Sequence, residues 1–204
     1  MRKTRGFISC LVIAAAALSA CSEQTNSVSI KTENGMTLVN NNGDQFEIKG
    51  TNINVMVEPL KTPDGTPTGN VVLWERAEMD GIGYRISVTD MSPGPHAFHF
   101  HETGKCEGPD FKSAGGHFNP EMKSHGFESD DGPHAGDMEN IEVSADGTGM
   151  FQGMNTRVSL GGSDLPTLKD GDGSAIIVHA GADDYASQPS GAAGARIACA
   201  VIGK

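Results

Sequence analysis

The chain has 204 residues, 26 acidic against 15 basic side chains and a formal charge of −11, with 27 glycines but only 8 Phe, 2 Tyr and 1 Trp. That balance excludes a nucleic-acid binder, whose footprint is a basic patch. The length suits one domain around one core, and the glycine-rich, aromatic-poor composition suits short strands joined by turns and long loops.

In chain order, the first segment does not belong to a fold. Arg2, Lys3 and Arg5 precede an apolar run from Phe7 to Ala17. These are the charged and apolar regions of a secretory signal, and the run is too short to span a membrane as a mature helix. Leu18-Ser19-Ala20-Cys21 follows. Leu18 is too large for the −3 position of plain signal cleavage, and the four residues resemble a bacterial lipobox, whose cysteine is diacylated and becomes the new N-terminus. Residues 1–20 are therefore expected to be a lipoprotein signal peptide and Cys21 the lipidation site, with an ordinary cleaved signal as the alternative. Acyl chains anchor a protein to a membrane stably when two or more are present. The expected location is lipid-anchored and extracytoplasmic, on a periplasmic or cell-surface side. Loss of Arg2, Lys3 and Arg5 would take the formal charge from −11 to −14. From Ser22 to about Phe46 the chain is polar and includes Asn40-Asn41-Asn42-Gly43-Asp44. Residues 21–46 are predicted to be a lipidated flexible tether, interrupted by the short apolar stretch Met36-Thr37-Leu38-Val39.

The remaining segment, 47–204, carries the strand signals. Ile53, Val55 and Val57 alternate with other residues and are predicted to face inward. Pro63-Asp64-Gly65 marks a turn before a second strand from Gly69 to Arg76, and Tyr84 to Val88 forms a third. Ser92-Pro93-Gly94-Pro95 turns into a strand that contains His99 and His101. Further strands are predicted at Asn140–Val143, within Gly149–Leu160, at Ala175–His179 and at Ala195–Ile202. Eight short strands at regular spacing predict an all-β sandwich or barrel.

Six of the seven histidines lie between Pro95 and Asp137: His96, His99, His101, His117, His125 and His134, with His179 the seventh. On a strand, residues i and i+2 share a face. His99 and His101 therefore project together, and Phe98 and Phe100 project to the core. Two neutral imidazoles on one face begin a site for a borderline metal such as copper or zinc. His117, His125 and His134 sit in a stretch rich in Gly, Pro, Ser, Asn and Asp, a loop composition. A loop this long inside a compact domain needs something to structure it, and a closed four-ligand metal site of His117, His125, His134 and Asp137 would do so. A solvated loop explains one such histidine but not the constellation.

Six motifs occur in order: His99-Phe100-His101; Gly116-His117-Phe118-Asn119-Pro120; Ser124-His125-Gly126; His134-Ala135-Gly136-Asp137; Val178-His179-Ala180-Gly181-Ala182-Asp183-Asp184; and Gly194-Ala195-Arg196-Ile197-Ala198-Cys199-Ala200-Val201-Ile202-Gly203. Together they resemble the copper/zinc superoxide dismutase family. The resemblance implies an eight-stranded Greek-key flattened β-barrel with long metal-binding and electrostatic loops. It implies dismutation of superoxide to oxygen and hydrogen peroxide. Copper would be bound by His99, His101, His117 and His179, and zinc by His117, His125, His134 and Asp137. His117 would be the shared bridge that takes and returns a proton. Asp183 would hydrogen-bond His99 and His125, and Arg196 would attract and dock superoxide. Cys106 and Cys199 would form the family's disulfide, worth roughly 4–5 kcal/mol in the chain-entropy account. His96 matches a structural histidine outside the metal set.

Two departures from the family pattern bear on partners. The segment from Cys106 to His117 has an unusual length in a region where subunit contacts differ, which leaves homodimer formation open. The loop from His179 to Arg196 contains no lysine, so long-range steering of superoxide is expected to be weak, with Lys105 and Lys112 supplying a local positive field. The alternative functional reading is a copper/zinc-binding lipoprotein without turnover, and a third is a β-sandwich adhesion module.

Overall fold

The computed structural model describes residues 28–32, 35–39, 45–50 and 52–203. The expected signal peptide and the lipidation site at Cys21 lie outside the described residues. Apart from one 3₁₀ turn, Lys112–Ala114, the elements are strands. Three of them, β1 (Val28–Thr32), β2 (Gly35–Val39) and β3 (Gln45–Lys49), form a small antiparallel sheet in that order. The other nine are β4 (Asn54–Lys61), β5 (Pro67–Glu75), β6 (Ile82–Val88), β7 (Gly94–His96), β8 (Phe98–His101), β9 (Ile141–Val143), β10 (Gly149–Asn155), β11 (Ser174–His179) and β12 (Arg196–Ile202).

These nine strands make one sheet in the order β7-β9-β10-β6-β5-β4-β12-β11-β8. The two edges, β7 and β8, are separated in sequence by Ala97 alone. They are the two halves of one strand. The first half pairs with β9 through His96 and Ile141, and the second pairs with β11 through Phe98 and Val178. At the break, Ala97 donates its backbone N–H to Gly181 O (2.8 Å) and accepts from His179 N (2.8 Å). The sheet thus closes on itself as an eight-stranded antiparallel barrel, which removes the exposed edges an open sheet would have. The placement of β10 beside β6 and of β12 beside β4 supplies the crossing connections of a Greek key.

Period-2 alternation fills the barrel. Leu60, Leu73, Tyr84, Ile86, Phe98 and Phe100 meet inside it and are fully or almost fully buried. The same alternation puts Val72 and Trp74 on the outside of β5, and here two expectations need correction. Ile53, Val55 and Val57 do not face the barrel interior. They join Val72, Trp74 and Ile48 in a separate outer cluster, while Met56 and Leu60 point inward. Nor is the segment 21–46 wholly a flexible tether, because β1, β2 and the start of β3 fall within it.

The physical reason is the same in both cases. Phe46 and Ile48 of β3 alternate with polar residues and cover the outer face of β5. The Phe46 and Trp74 ring centroids are 5.2 Å apart, Arg85 lies 4.9 Å above the Phe46 ring, and Arg76 Nη1 donates to Lys49 O at 2.6 Å. Polar composition concealed a strand whose apolar side chains have a surface to cover.

Trp74 is the single tryptophan, so its fluorescence reports this packing. Phe46→Ala is expected to red-shift the emission and to lower stability by about 1–2 kcal/mol, less than the ~3–5 kcal/mol of a fully buried phenylalanine. Urea unfolding followed by fluorescence checks both, and an unchanged emission maximum would contradict the docking of β3.

Candidate metal centre

The centre is built on the outer face of β8 and β11. His99 and His101 point away from Phe98 and Phe100, yet all four are 0 % exposed, so the outer face is as closed as the core. Ile177 of β11 stands opposite His99 and Ala175 opposite His101. His179 follows Ile177 on the same face, after a bulge at Val178/His179 that shifts the register with β12 and brings His179 opposite Arg196.

The loop from Glu102 to Asn140 then folds back over these rings. Glu102 N donates to Gly116 O (3.0 Å) and Phe118 N to Phe100 O (2.8 Å), which pairs His117 with His101 as an isolated β-bridge. Gly136 crosses the same place, donating to Phe118 O (2.8 Å) and accepting from Phe100 N (3.0 Å). A Cβ on Gly136 would collide with Phe100 O.

Among the described residues, two four-membered groups of ligand atoms result, each with all atoms within 4.8 Å of one another: His99, His101, His117 and His179; and His117, His125, His134 and Asp137; a third group of three, His99, His125 and Asp183, joins them. In the first, His99 Nδ1, His101 Nε2, His117 Nε2 and His179 Nε2 are buried and have no hydrogen-bond partner. The other nitrogen of each of these rings is engaged, that of His117 by Asp137 Oδ1 (2.9 Å). His99 Nε2 donates to Asp183 Oδ2 (2.7 Å), His101 Nδ1 to Gly115 O (3.0 Å) and His179 Nδ1 to Gly194 O (3.3 Å). Those acceptors fix the tautomer, and each ring aims its lone pair at a common point. A buried polar atom without a partner is costly. Four converging imidazole lone pairs suit copper or zinc.

In the second group, Asp137 Oδ1 lies 2.9 Å from His117 Nδ1, 3.0 Å from His125 Nδ1 and 3.2 Å from His134 Nδ1, and the His134 and His117 Nδ1 atoms are 3.4 Å apart. A tetrahedron with bonds of about 2.0–2.1 Å has edges of about 3.3–3.4 Å, so this set fits zinc with little adjustment. Asp137 Oδ2 is held apart by the backbone N–H groups of Gly126 and His134, each at 2.9 Å, leaving Oδ1 to face the three rings. His117 alone contributes a nitrogen to each group.

The charges follow from burial and from the two carboxylates. Burial holds His117 down to about 4 and His179 down to about 3, and pushes His99 and His101 down as well. Burial also acts to lower His125, but contacts with Asp137 and Asp183 outweigh it and raise the ring to about 9. Burial would raise Asp137 and Asp183; the facing imidazoles overcome it and hold both carboxylates below their usual range.

Asp183 spans the two groups, accepting from His99 Nε2 (2.7 Å) and His125 Nε2 (3.0 Å). Gly191, at φ +68°, leaves room for it, since a Cβ there would overlap Asp183 Oδ1. Arg196 donates Nη1 to Phe111 O (2.8 Å) and Nη2 to Gly115 O (2.7 Å), the same carbonyl that accepts from His101. Cys106 and Cys199 form a disulfide with Cα atoms 5.7 Å apart, which ties the segment supplying those carbonyls to β12. His96 lies outside both metal groups. Its Nδ1 is 2.7 Å from His179 O and its Nε2 is 2.8 Å from Ser92 O.

Lys105 and Lys112 are exposed, but Lys112 pairs with Asp110 at 2.7 Å, which offsets its field. Three further residues support the site without a sequence signal of their own: Arg157, which donates to Asp137 O (2.8 Å), and Asn140 and Gln188, which hold backbone of Asp183 and His125. Single polar residues in loops carry no pattern that would have marked them.

A model of the family described as copper/zinc superoxide dismutase (SODC) matches residues 67–202. A Cu-Zn superoxide dismutase of Caulobacter vibrioides is 43% identical over 145 residues, 70% of this chain and 82% of that protein. One of Aquifex aeolicus is 46% identical over 123 residues, 60% of this chain and 73% of that protein. The crystal structure of a SOD-like protein from Bacillus subtilis aligns with a TM-score of 0.67 at 42% identity, covering 72% of this chain and 97% of that chain.

The metal-free chain should be most stable near pH 6–7. An unfolded histidine titrates near pH 6.5, whereas folded His117 and His179 stay neutral down to about 4 and about 3. Between those values the unfolded chain binds more protons, and stability falls as pH falls, by about 1.4 kcal/mol per pH unit per ring. His125 acts in the other window: its contribution is full below pH 6.5 and is lost as pH rises through about 9. Urea midpoints from pH 4 to 10 test this, and a flat profile would contradict it.

Proposed function

The chain belongs to the copper/zinc superoxide dismutase family, and from that premise we propose how its own residues divide the work. Its activity is the dismutation of superoxide to oxygen and hydrogen peroxide, and its metals are copper and zinc. His99 Nδ1 and the Nε2 atoms of His101, His117 and His179 would hold copper. The Nδ1 atoms of His117, His125 and His134 with Asp137 Oδ1 would hold zinc. The observation that carries this reading is the set of four buried, unpartnered ring nitrogens beside a compact His₃Asp set, with one ring common to both.

Copper, when bound, supplies a reversible one-electron step, and zinc, which has no redox chemistry, supplies charge and holds the loop. The chain does the rest. Arg196, fixed by two carbonyls, presents a cation that draws in and orients the superoxide anion. His117 Nδ1 is committed to the Asp137 side, so Nε2 is the atom at which this ring can gain and release a proton. The balance is two superoxide ions and two protons taken up, one oxygen and one hydrogen peroxide released. Asp183 keeps His99 and His125 in one tautomer, which holds their metal-facing nitrogens as lone pairs.

We also propose that the protein works outside the cytoplasm as a lipoprotein, with residues 1–20 removed and Cys21 acylated. The lipobox-like Leu18-Ser19-Ala20-Cys21 supports this, as does the Cys106–Cys199 disulfide, since cytosolic thiols are kept reduced. Among the described residues no helix is long and apolar enough to cross a membrane.

Superoxide dismutation by the copper- and zinc-loaded chain should be rapid and should collapse, by about 100-fold or more, in His117→Ala, a loss beyond the ~10–100-fold typical of a residue that only supports a ligand. Stoichiometric copper without turnover would favour a metal-buffering lipoprotein instead. In cells fed labelled fatty acid, the wild-type chain should take up label and Cys21→Ser should not; equal labelling would refute acylation at Cys21.

A further inference from the structure

Two amide side chains outside both ligand sets each grip one residue's backbone by both its donor and its acceptor. Asn140, at the end of the loop that carries His117 to Asp137, accepts from Asp183 N at Oδ1 (2.8 Å) and donates Nδ2 to Asp183 O (3.0 Å). Gln188, in the loop after His179, accepts from His125 N at Oε1 (2.9 Å) and donates Nε2 to His125 O (2.8 Å). The grips run in opposite directions between the same two loops. The residues they hold, Asp183 and His125, are bonded to each other through Asp183 Oδ1 and His125 Nε2 at 3.0 Å. Both ends of that contact therefore have their backbone fixed from the opposite loop.

Each amide has a donor and an acceptor satisfied in one orientation. Gln188 Nε2 also donates to Ala186 O (3.0 Å) and Ser129 Oγ (3.2 Å), and Asn140 N donates to the Tyr185 hydroxyl (2.9 Å). Asn119 makes the same pair of hydrogen bonds to the Lys123 backbone, each at 2.9 Å, but closes a turn within one loop. Only the Asn140 and Gln188 pairs, among these three, cross between the loops.

We propose that Asn140 and Gln188 are positioning residues that act on both metals through Asp183 and His125. This rests on the ligand assignment above. Releasing either grip lets the Asp183 carboxylate and the His125 backbone move apart, so His125 and His99 lose the acceptor that fixes their orientation. Neither amide touches a proposed metal-facing atom. Gln188 is exposed and Asn140 partly buried, so both can be replaced without opening the core.

The test is zinc(II) affinity of the full chain, copper-free, measured by competition with a chromophoric chelator, beside thermal unfolding of the same proteins without metal. Gln188→Ala and Asn140→Ala should each bind zinc about 10–100-fold more weakly, as loss of a ligand's supporting partner does. Gln188→Glu, which keeps the acceptor for His125 N and loses the donor to His125 O, should fall between. Asn140→Ala should also alter the copper(II) EPR spectrum, because Asp183 holds His99. Unchanged zinc affinity with lowered metal-free melting temperatures would mean that the amides merely close loops, and would overturn the proposal. A wild-type chain that takes up no zinc would instead overturn the ligand assignment, and the clamp with it.

Discussion

The constraint on which the site depends is that each buried imidazole nitrogen must have one defined partner. Seven histidines in a chain with 26 acidic residues could have been a solvated surface. Instead six of them crowd into two contiguous groups from which water is largely excluded. Four nitrogens are left without a partner, and three more converge on one carboxylate oxygen. Burial keeps most of these rings neutral, and so able to offer lone pairs at neutral pH. Asp137 and Asp183 supply the negative charge that a pair of cations requires. His117 is the hinge of the arrangement because both its nitrogens point into a ligand set.

The barrel provides the rigidity. One strand broken at Ala97 closes the sheet and puts Phe98 and Phe100 into the core, so His99 and His101 are held by the packing of their neighbours. β11 uses its alternation the same way, burying Ile176 and Val178 in the barrel while presenting Ile177 and His179 outward. A second small cluster of Phe111, Ala114, Ala175, Ile177 and Cys199 packs the returning loop onto that outer face beside the disulfide. Loop and barrel are joined by apolar contact, a covalent bond and hydrogen bonds at once, which suits a site whose candidate ligands come from five separate stretches of sequence.

Much of this was legible in the residues. Turn signals and short strand-like runs, with period-2 alternation explicit in a few of them, located the eight barrel strands, and His99-Phe100-His101 marked the face on which the imidazoles gather. His179 stands apart, because a lone histidine ending a buried apolar run carries no signal of its own and was found by its family motif. β3 was missed since its polar residues outnumber the two apolar ones that dock, Phe46 and Ile48. Ile53, Val55 and Val57 alternate as expected, but periodicity gives a face and not its destination, and β3 offered an outer surface to cover. Asn140 and Gln188 act through backbone groups of residues about 43 and 63 positions away, a relation that only the folded chain creates. The pairing of Lys112 with Asp110 also shows why counting lysines near a site overstates its field.

In the proposed centre, His117 joins two metal sites through its two ring nitrogens. Crystals of the copper- and zinc-loaded protein, with anomalous diffraction recorded on both sides of the copper and zinc edges, test it most directly. Copper is expected on the Nε2 side of His117, among His99, His101 and His179, and zinc on the Nδ1 side, among His125, His134 and Asp137. A single metal peak, or two peaks with one nitrogen of His117 bound to neither, would contradict it.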